Sequence, residues 1–199
     1  MRIIATLALV SFLSLTAAEP AVATKPAGPG IAFPAEYACT MSMTKDGTAM
    51  TIKMFRGKGG LTRMETKAEG QEVIIIVKPE QKQMHMLMVG MKMAMTQPLS
   101  DTAGPMKDPT TDPAATWKKV GAETINKIAC DKYEYTSKSG NGVAWIDGTR
   151  NVLIRVQGGG KSETADFSDY TIGAQKADLF EVPAGYQSMG APGGMPGGK

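Results

Sequence analysis

Short runs in which apolar and polar residues alternate dominate this chain, and they predict β-strands over most of its length. Tyr37, Cys39, Met41 and Met43 alternate with small polar residues, which is typical of a strand with one buried face. Asp46-Gly47 follows directly, and this dipeptide favours a two-residue turn in which both residues adopt positive φ. The segment therefore predicts a β-hairpin.

The turn at Asp46-Gly47 also predicts the register of this hairpin. Three opposed pairs result, all on one face: Met43 with Met50, Met41 with Ile52, and Cys39 with Met54. The turn chemistry and the apolar alternation thus agree independently on one register.

A second methionine-rich segment runs from Lys82 to Gln97. Its methionines are Met84, Met86, Met88, Met91, Met93 and Met95. The first three share a strand face because they are spaced by two, and Gly90 favours a turn. An even-length loop (Val89-Gly90, or Val89 to Lys92) or a one-residue bulge at Gly90 places Met86 on the face of Met93 and Met95. An odd-length loop separates the two groups.

The remaining pattern contains almost no helical periodicity. Further strands are predicted at 61–66, 73–77, 117–125, 128–137, 143–146, 151–156 and 162–172, and one short helical turn at 177–180. Short connections favour an antiparallel meander. We therefore predict a mostly β fold, a single antiparallel sheet of about 10 or 11 strands with little helix.

Composition divides the chain into four parts. Residues 1–23 have a basic start, an apolar run and an Ala-Val-Ala cleavage pattern, which is typical of a signal peptide. Residues 24–34 form a Pro/Gly-rich linker and residues 35–187 one β domain. Within this domain, 98–116 is predicted as a long loop, and 188–199 as a disordered tail rich in Gly, Pro and Met. A periplasmic protein with no stable membrane span after cleavage is expected.

The charge of the chain limits its partners. The formal net charge is +3 at pH 7, which is too small to indicate nucleic-acid binding. Aromatic residues make up 6% of the chain, which contains 15 methionines. The core is therefore expected to use Met, Val and Ile where other domains use Phe and Leu.

Candidate catalytic groups are few. His85 is the one histidine of the chain, and no nucleophile motif accompanies it. Strand alternation points His85 away from Met84 and Met86, so we interpret it as a solvated surface residue. The sequence predicts a non-enzymatic protein with no cofactor.

Cys39 and Cys130 leave two possibilities open. Secretion favours a disulfide between them, which would close a long loop and stabilise the fold. The second possibility is two separate buried thiols, since a bridge needs Cα atoms within about 7 Å.

The methionines allow several functions. Methionine is unbranched and polarizable, so a methionine-lined sheet face can repack around ligands of varied shape. We predict that such a face binds a lipid or acyl chain through Met41, Met43, Met50, Ile52, Met54, Met84, Met86, Met88, Met93 and Met95. One alternative is copper(I) capture by the thioethers of Met84, Met86 and Met88. The pattern is also compatible with an envelope protein-interaction or sensing module, and with methionines that merely fill a core.

Several motifs resemble an uncharacterised secreted bacterial domain family. They are Arg63-Met64-Glu65, Ile74-Ile75-Ile76, Lys78-Pro79-Glu80, Met84 to Met88, Lys92-Met93, Val120 to Thr124, Cys130 to Tyr133 and Asp178 to Tyr186. That family is similar to the LolA/LolB-like lipoprotein carriers. The resemblance implies a strongly curved, unclosed antiparallel sheet (a half-barrel) whose concave apolar face takes lipid chains.

Overall fold

The computed structural model describes residues 32–45, 48–68, 70–99, 110, 112, 114–137, 140–158 and 164–189. The predicted signal peptide, and most of the predicted linker, long loop and tail, lie outside these residues. In the described part, no helix reaches seven residues. Its 3-10 turns are Lys58–Gly60, Val89–Met91 and Ala177–Phe180, and the last of these confirms the predicted helical turn.

Twelve strands of the described chain form one sheet. They are β1 Tyr37–Lys45, β2 Thr48–Arg56, β3 Thr62–Ala68, β4 Gln71–Lys78, β5 Gln83–Met88, β6 Met93–Pro98, β7 Thr116–Ile125, β8 Ile128–Ser137, β9 Gly140–Asp147, β10 Val152–Gly158, β11 Thr164–Ile172 and β12 Gln187–Met189. Their order is β12-β6-β5-β4-β3-β2-β1-β11-β10-β9-β8-β7. The chain thus builds two meanders, which join where β11 pairs with β1.

The sheet is open and antiparallel, as predicted. Only the pairing of β12 with β6 is parallel among the described strand pairs, and the sheet does not close into a barrel. β12 is the strand that the sequence analysis missed, because its residues Ser188 and Met189 were assigned to the tail. This strand adds to the outer edge of β6 and anchors the C-terminal end of the described chain.

Local irregularities bend one half of the sheet. The strand register shifts after Ala38 in β1, after Lys119 in β7 and after Leu153 in β10. Such bulges kink a strand and increase its twist. Asp169 of β11, which lies opposite the shift in β1, has a φ of 52°. These shifts curve the half of the sheet formed by β7 to β11 and β1.

Three clusters of buried side chains stabilise the sheet. The largest lies on the face of Met41 and comprises Tyr37, Cys39, Met41, Tyr133, Ala144, Ile146, Leu153, Ala165 and Phe167. The other two lie on the opposite face, which we call the reverse face. One comprises Ile74, Ile76, Leu87, Ala94 and Phe180, and the other Ile125, Cys130, Trp145, Val152 and Ile154. Both faces of the sheet therefore contribute to the core.

The segment 174–186 covers the reverse face of β3 to β6. Its Phe180 is 1% exposed and packs against Ile76 and Leu87. Nη1 of Arg63 donates a hydrogen bond of 2.9 Å to the carbonyl oxygen of Leu179. This segment, which we call the C-terminal strap, closes the reverse face and makes the other face of β3 to β6 the candidate binding surface.

Candidate functional site

The first hairpin has the register that the sequence predicts. Met43 lies opposite Met50, Met41 opposite Ile52 and Cys39 opposite Met54. The strands are joined across residues 46–47, because Lys45 pairs with Thr48. The predicted convergence of these side chains on one face is therefore present.

The second methionine-rich segment joins the same face. Met88 pairs with Met93 and Met86 with Met95, so the loop runs from Val89 to Lys92 and has an even number of residues. This loop is one of the predicted arrangements that keep the two methionine groups together. Lys92 ends the loop with a φ of 51°.

Strands β3 and β4 connect the two hairpins into one continuous surface. A row of directly paired residues crosses six adjacent strands: Cys39, Met54, Met64, Ile75, Met86 and Met95. At a strand spacing of about 4.8 Å, this row is about 24 Å long. We call the surface formed by this row and the predicted ligand-binding residues the methionine face.

The sequence analysis missed Met64 and Ile75 as members of this face. The pattern of β3 gave no clear apolar face, and the continuous β-branched run of β4 is typical of a strand buried on both sides. Neither strand therefore indicated which of its side chains would join the hairpins. The signal that could have identified Met64 is its position between Arg63 and Glu65, whose charged side chains alternate with it.

Burial differs among the predicted ligand-binding residues. Met41 and Met84 are buried, and Met41 packs in the largest core cluster. Met50 is the most accessible of the set, at 42% exposed. The half-buried members are Met43, Ile52, Met54, Met86, Met88, Met93 and Met95. These are the side chains available to contact a ligand without dismantling the core.

His85 lies on the reverse face, as alternation predicts, but it is buried, so the interpretation as a solvated residue is wrong. Its Nδ1 lies 2.9 Å from Oγ1 of Thr96 in the neighbouring strand. Burial lowers the pKa of His85 below its ordinary value of 6.5, and the nearby charge of Lys78 lowers it further, while Glu181 opposes the shift. The imidazole is therefore a buried structural group of the reverse face, close enough to Lys78 and Glu181 to feel their charges.

The two cysteines are separate buried thiols, which is the second of the two possibilities that the sequence leaves open. Cys39 lies in β1 on the methionine face and Cys130 in β8 on the reverse face. β11, β10 and β9 stand between these strands, a separation of about 19 Å at ordinary strand spacing. Burial raises the pKa of the Cys130 thiol.

A pocket of about 440 Å³ opens at one end of the methionine face. Its apolar lining includes Phe33, Tyr37, Leu153 and Phe167, three of which belong to the largest core cluster while Phe33 packs against it. The pocket contains none of the predicted ligand-binding residues. The sequence analysis missed it because it joins the segment before β1, the Gly57–Gly60 turn and β10, which are far apart in sequence.

Arg56 places a cation in this pocket. It follows Met54 in β2 at a spacing of two and pairs with Tyr37, so it extends the methionine face into the pocket. Arg56 is half-buried, and its guanidinium makes no hydrogen bond or ion pair with any described group. Lys58 and Glu36 also line the pocket.

The described residues contain no cluster of three or more His, Cys, Asp or Glu side chains that could hold a metal ion. No helix within the described ranges is long and apolar enough to cross a membrane. The arrangement offers apolar contact and one unpaired guanidinium, which suits binding better than bond-making chemistry.

Comparison with known sequences places the chain in a family. The profile described as a domain of unknown function (DUF4412) matches residues 37–154. The chain belongs to this family. The DUF4412 match begins with β1 and ends within β10, so it includes both methionine-rich hairpins, while β11 and β12 lie beyond it. No curated protein sequence matches the chain.

A solved structure of TM-score above 0.5 shares the fold of this DUF4412 protein. An uncharacterized conserved protein from Thermus thermophilus superposes with a TM-score of 0.58 at 10% identity, covering 79% of this chain and 91% of that chain. The MucA/MucB complex of Pseudomonas aeruginosa superposes with a TM-score of 0.45 at 16% identity, covering 76% of this chain and 57% of that chain. A putative outer membrane lipoprotein-sorting protein domain from Vibrio parahaemolyticus gives 0.38 at 10% identity, with coverage of 72% and 88%. The last two likenesses have TM-scores below 0.5 and support no argument about fold or function.

Proposed function

We propose that this protein is a non-enzymatic binding protein of the bacterial periplasm, which holds a lipid or acyl chain against the methionine face. The observation that carries this proposal is the row from Cys39 to Met95 across six adjacent strands. The location rests on the signal-peptide pattern of residues 1–23.

The chemistry of the row suits an acyl chain. Thioether side chains have three rotatable bonds and repack around guests of different shape. Each buried methylene contributes about 0.8 kcal/mol, so a long chain reaches micromolar affinity, about −8 kcal/mol, without extensive polar recognition. Half-buried residues such as Met54, Met86 and Met95 can exchange their present contacts for contacts with a ligand.

The reverse face supports this choice of surface. There the C-terminal strap already packs against β3 to β6, with Phe180 seated among Ile76, Leu87 and Ala94. A ligand on that side would have to displace a buried aromatic residue. Binding on the methionine face requires no such displacement of the strap.

Native mass spectrometry of protein purified from its own envelope tests the proposal. We expect a bound lipid or fatty acid, and a palmitate adduct after addition of palmitate to delipidated protein. Absence of both would contradict the proposal.

Two lysine substitutions locate the site. Met54→Lys places a charge where the row crosses β2 and should weaken palmitate binding by at least about tenfold, because the ammonium resists burial beside an acyl chain. Met50→Lys is a second variant whose position is already accessible. Met91→Lys is the matched control, because Met91 is 50% exposed in the Val89–Met91 turn and should leave binding unchanged. Equal effects at Met54 and Met91 would contradict the assignment.

Copper(I) binding is the second candidate, and the cross-strand pairs Met86–Met95 and Met88–Met93 favour it because they bring four thioethers together. Replacing Met84, Met86 and Met88 with Leu separates the two functions. Lipid binding should persist, since Leu keeps volume and apolarity, whereas stoichiometric copper(I) uptake would be lost. A protein partner at the same face would instead be displaced by palmitate.

A further inference from the structure

The pocket at Arg56 differs from the rest of the methionine face in its charge. Its lining contains two cationic side chains, Arg56 and Lys58, and one carboxylate, Glu36. Along β2 the residues of the methionine face are Met50, Ile52 and Met54, with Arg56 next in the same alternation. An apolar stripe on this strand therefore ends in a guanidinium.

The guanidinium of Arg56 is a candidate binding group for an anion. It is half-buried among Tyr37 and the other pocket residues, yet no described group accepts a hydrogen bond from its guanidinium. A partly desolvated cation without an acceptor is unfavourable, and an anion that supplies one is correspondingly favoured. The planar guanidinium matches the two oxygens of a carboxylate in a bidentate geometry.

We propose that this pocket holds the carboxylate of a long-chain fatty acid, with Arg56 as its anchor and the acyl chain extended over the methionine face. This inference rests on the proposed function, because it requires an apolar chain to be bound. It adds the substrate class, an anionic amphiphile, and a polarity, with the charged end at Arg56.

The length of an acyl chain is consistent with this orientation along β2. Arg56 and Met50 are six residues apart in one strand, which corresponds to about 20 Å. The hydrocarbon core of a bilayer is about 30 Å thick and two acyl chains deep, so one chain extends about 15 Å. A chain that starts at Arg56 therefore passes Met54 and ends just beyond Ile52, which lies about 13 Å from Arg56 along the strand.

The aromatic residues that line the pocket contribute to its selectivity for the charged group of the ligand. Phe33, Tyr37 and Phe167 line the same pocket as Arg56 with apolar surface, and lower local polarity strengthens the attraction between guanidinium and carboxylate. Glu36 disfavours a second negative charge. A singly charged carboxylate therefore fits this lining better than a doubly charged phosphate monoester.

Isothermal titration with palmitate and with hexadecanol, both delivered from cyclodextrin, tests the inference on delipidated protein. The two ligands share a chain length and differ in the charged end. We expect palmitate to bind more tightly. Arg56→Met should weaken palmitate binding by about tenfold, because it removes one charge-assisted contact. The affinity for hexadecanol should change by less than about twofold. Added salt should weaken only palmitate.

Lys53→Met is the matched control. Lys53 is an exposed cation of β2 that lies opposite Thr40 and Glu65 on the reverse face. Its loss should alter the binding of neither palmitate nor hexadecanol. Arg56→Lys should restore part of the palmitate affinity, since it keeps the charge and loses the bidentate geometry.

The outcomes separate this inference from the proposed function. If neither ligand binds, the acyl-chain function fails and the anchor fails with it. If both bind equally and Arg56→Met affects them equally, the anchor is overturned while the acyl-binding function stands. Should Arg56→Met fail to fold, Arg56→Lys, which should weaken palmitate binding and leave hexadecanol binding unchanged, and the salt dependence of the palmitate-to-hexadecanol affinity ratio decide the question in the same way.

Discussion

Lys78 and Glu181 are 103 residues apart in sequence, yet Nζ of Lys78 lies 2.5 Å from Oε2 of Glu181. The side chain of Lys78 is 8% exposed and that of Glu181 is 67% exposed. A buried ammonium in β4 is thus neutralised by a carboxylate that the C-terminal strap supplies. This ion pair fixes the strap over the reverse face.

The first prediction concerns this ion pair. Glu181→Gln should lower the free energy of unfolding by roughly 1 to 2 kcal/mol, because it leaves a buried ammonium without its charged partner. Lys78→Met should lower the free energy of unfolding by less, since it removes the buried charge as well. Urea denaturation measures both. Glu134→Gln, at an exposed position of β8, is the control, and an equal loss there would contradict the role of the pair.

The second prediction concerns Gly57 and Phe180. A Cβ added to Gly57 would lie 2.6 Å from Cε2 of Phe180, and the buried ring has little room to move. Gly57→Ala should therefore destabilise the fold by about 1 to 3 kcal/mol through overpacking. Thermal unfolding monitored by circular dichroism provides the measurement.

Gly90→Ala is the control for this substitution. An added Cβ at Gly90 meets no atom within 4 Å, so its effect should stay within about 1 kcal/mol. The cost of Gly57→Ala should shrink in a Phe180→Leu background, where the ring is absent. An undiminished cost would show that the contact with the ring is not its cause.

The third prediction is a loss of stability in mild acid. The folded-state pKa of His85 is lowered by burial and by Lys78, with Glu181 opposing, so the unfolded chain binds the proton more readily. His85 therefore contributes full stability above about pH 6.5, and this contribution is lost as the pH falls through about 6.5 towards the folded-state pKa.

Urea midpoints at about pH 7.5 and about pH 5.5 measure this effect, since they bracket the ordinary histidine pKa. His85→Gln should flatten the dependence in that window, because the chain contains one histidine and most carboxylates titrate at lower pH. An unchanged slope in His85→Gln would assign the acid sensitivity to other groups. Thr96→Val tests separately whether the hydrogen bond at Nδ1 contributes.

The fourth prediction concerns the thiols. Cys39 and Cys130 are both buried and unbridged, so the native protein should react slowly with Ellman's reagent. Protein denatured without reductant should release two equivalents of the chromophore. A reading of zero would indicate a disulfide and contradict the present sheet order. The raised pKa of Cys130 further slows its reaction at neutral pH.

Local structure was predictable where neighbouring residues carried all of the information. The turn at Asp46-Gly47 and the alternation on either side of it determined that Met43 lies opposite Met50, and the structure has this pair. In the second hairpin the alternation grouped Met84, Met86 and Met88, but the loop length was left open. The strand pairing decided it, with Met88 opposite Met93.

Contacts between distant segments were not predictable in this way. His85 was interpreted as solvated because its strand neighbours gave no sign that its side chain would be buried. Cys39 and Cys130 remained candidates for a disulfide until the order of the sheet separated their strands and faces. The sequence around Arg56 does not predict the pocket, because the other residues that line this pocket include residues of β10, β11 and the segment before β1.

The sequence by itself determined that this protein is a β-sheet with two methionine-rich hairpins and which side chains of each hairpin share a face. These properties follow from a period of two and from turn chemistry, which act over a few residues. Only the tertiary structure decided that β3 and β4 join the hairpins into one row, that the strap closes the reverse face, and that Arg56 ends the methionine face in a pocket. Pairing between distant strands depends on the free energy of the whole assembled sheet, and no local pattern encodes it.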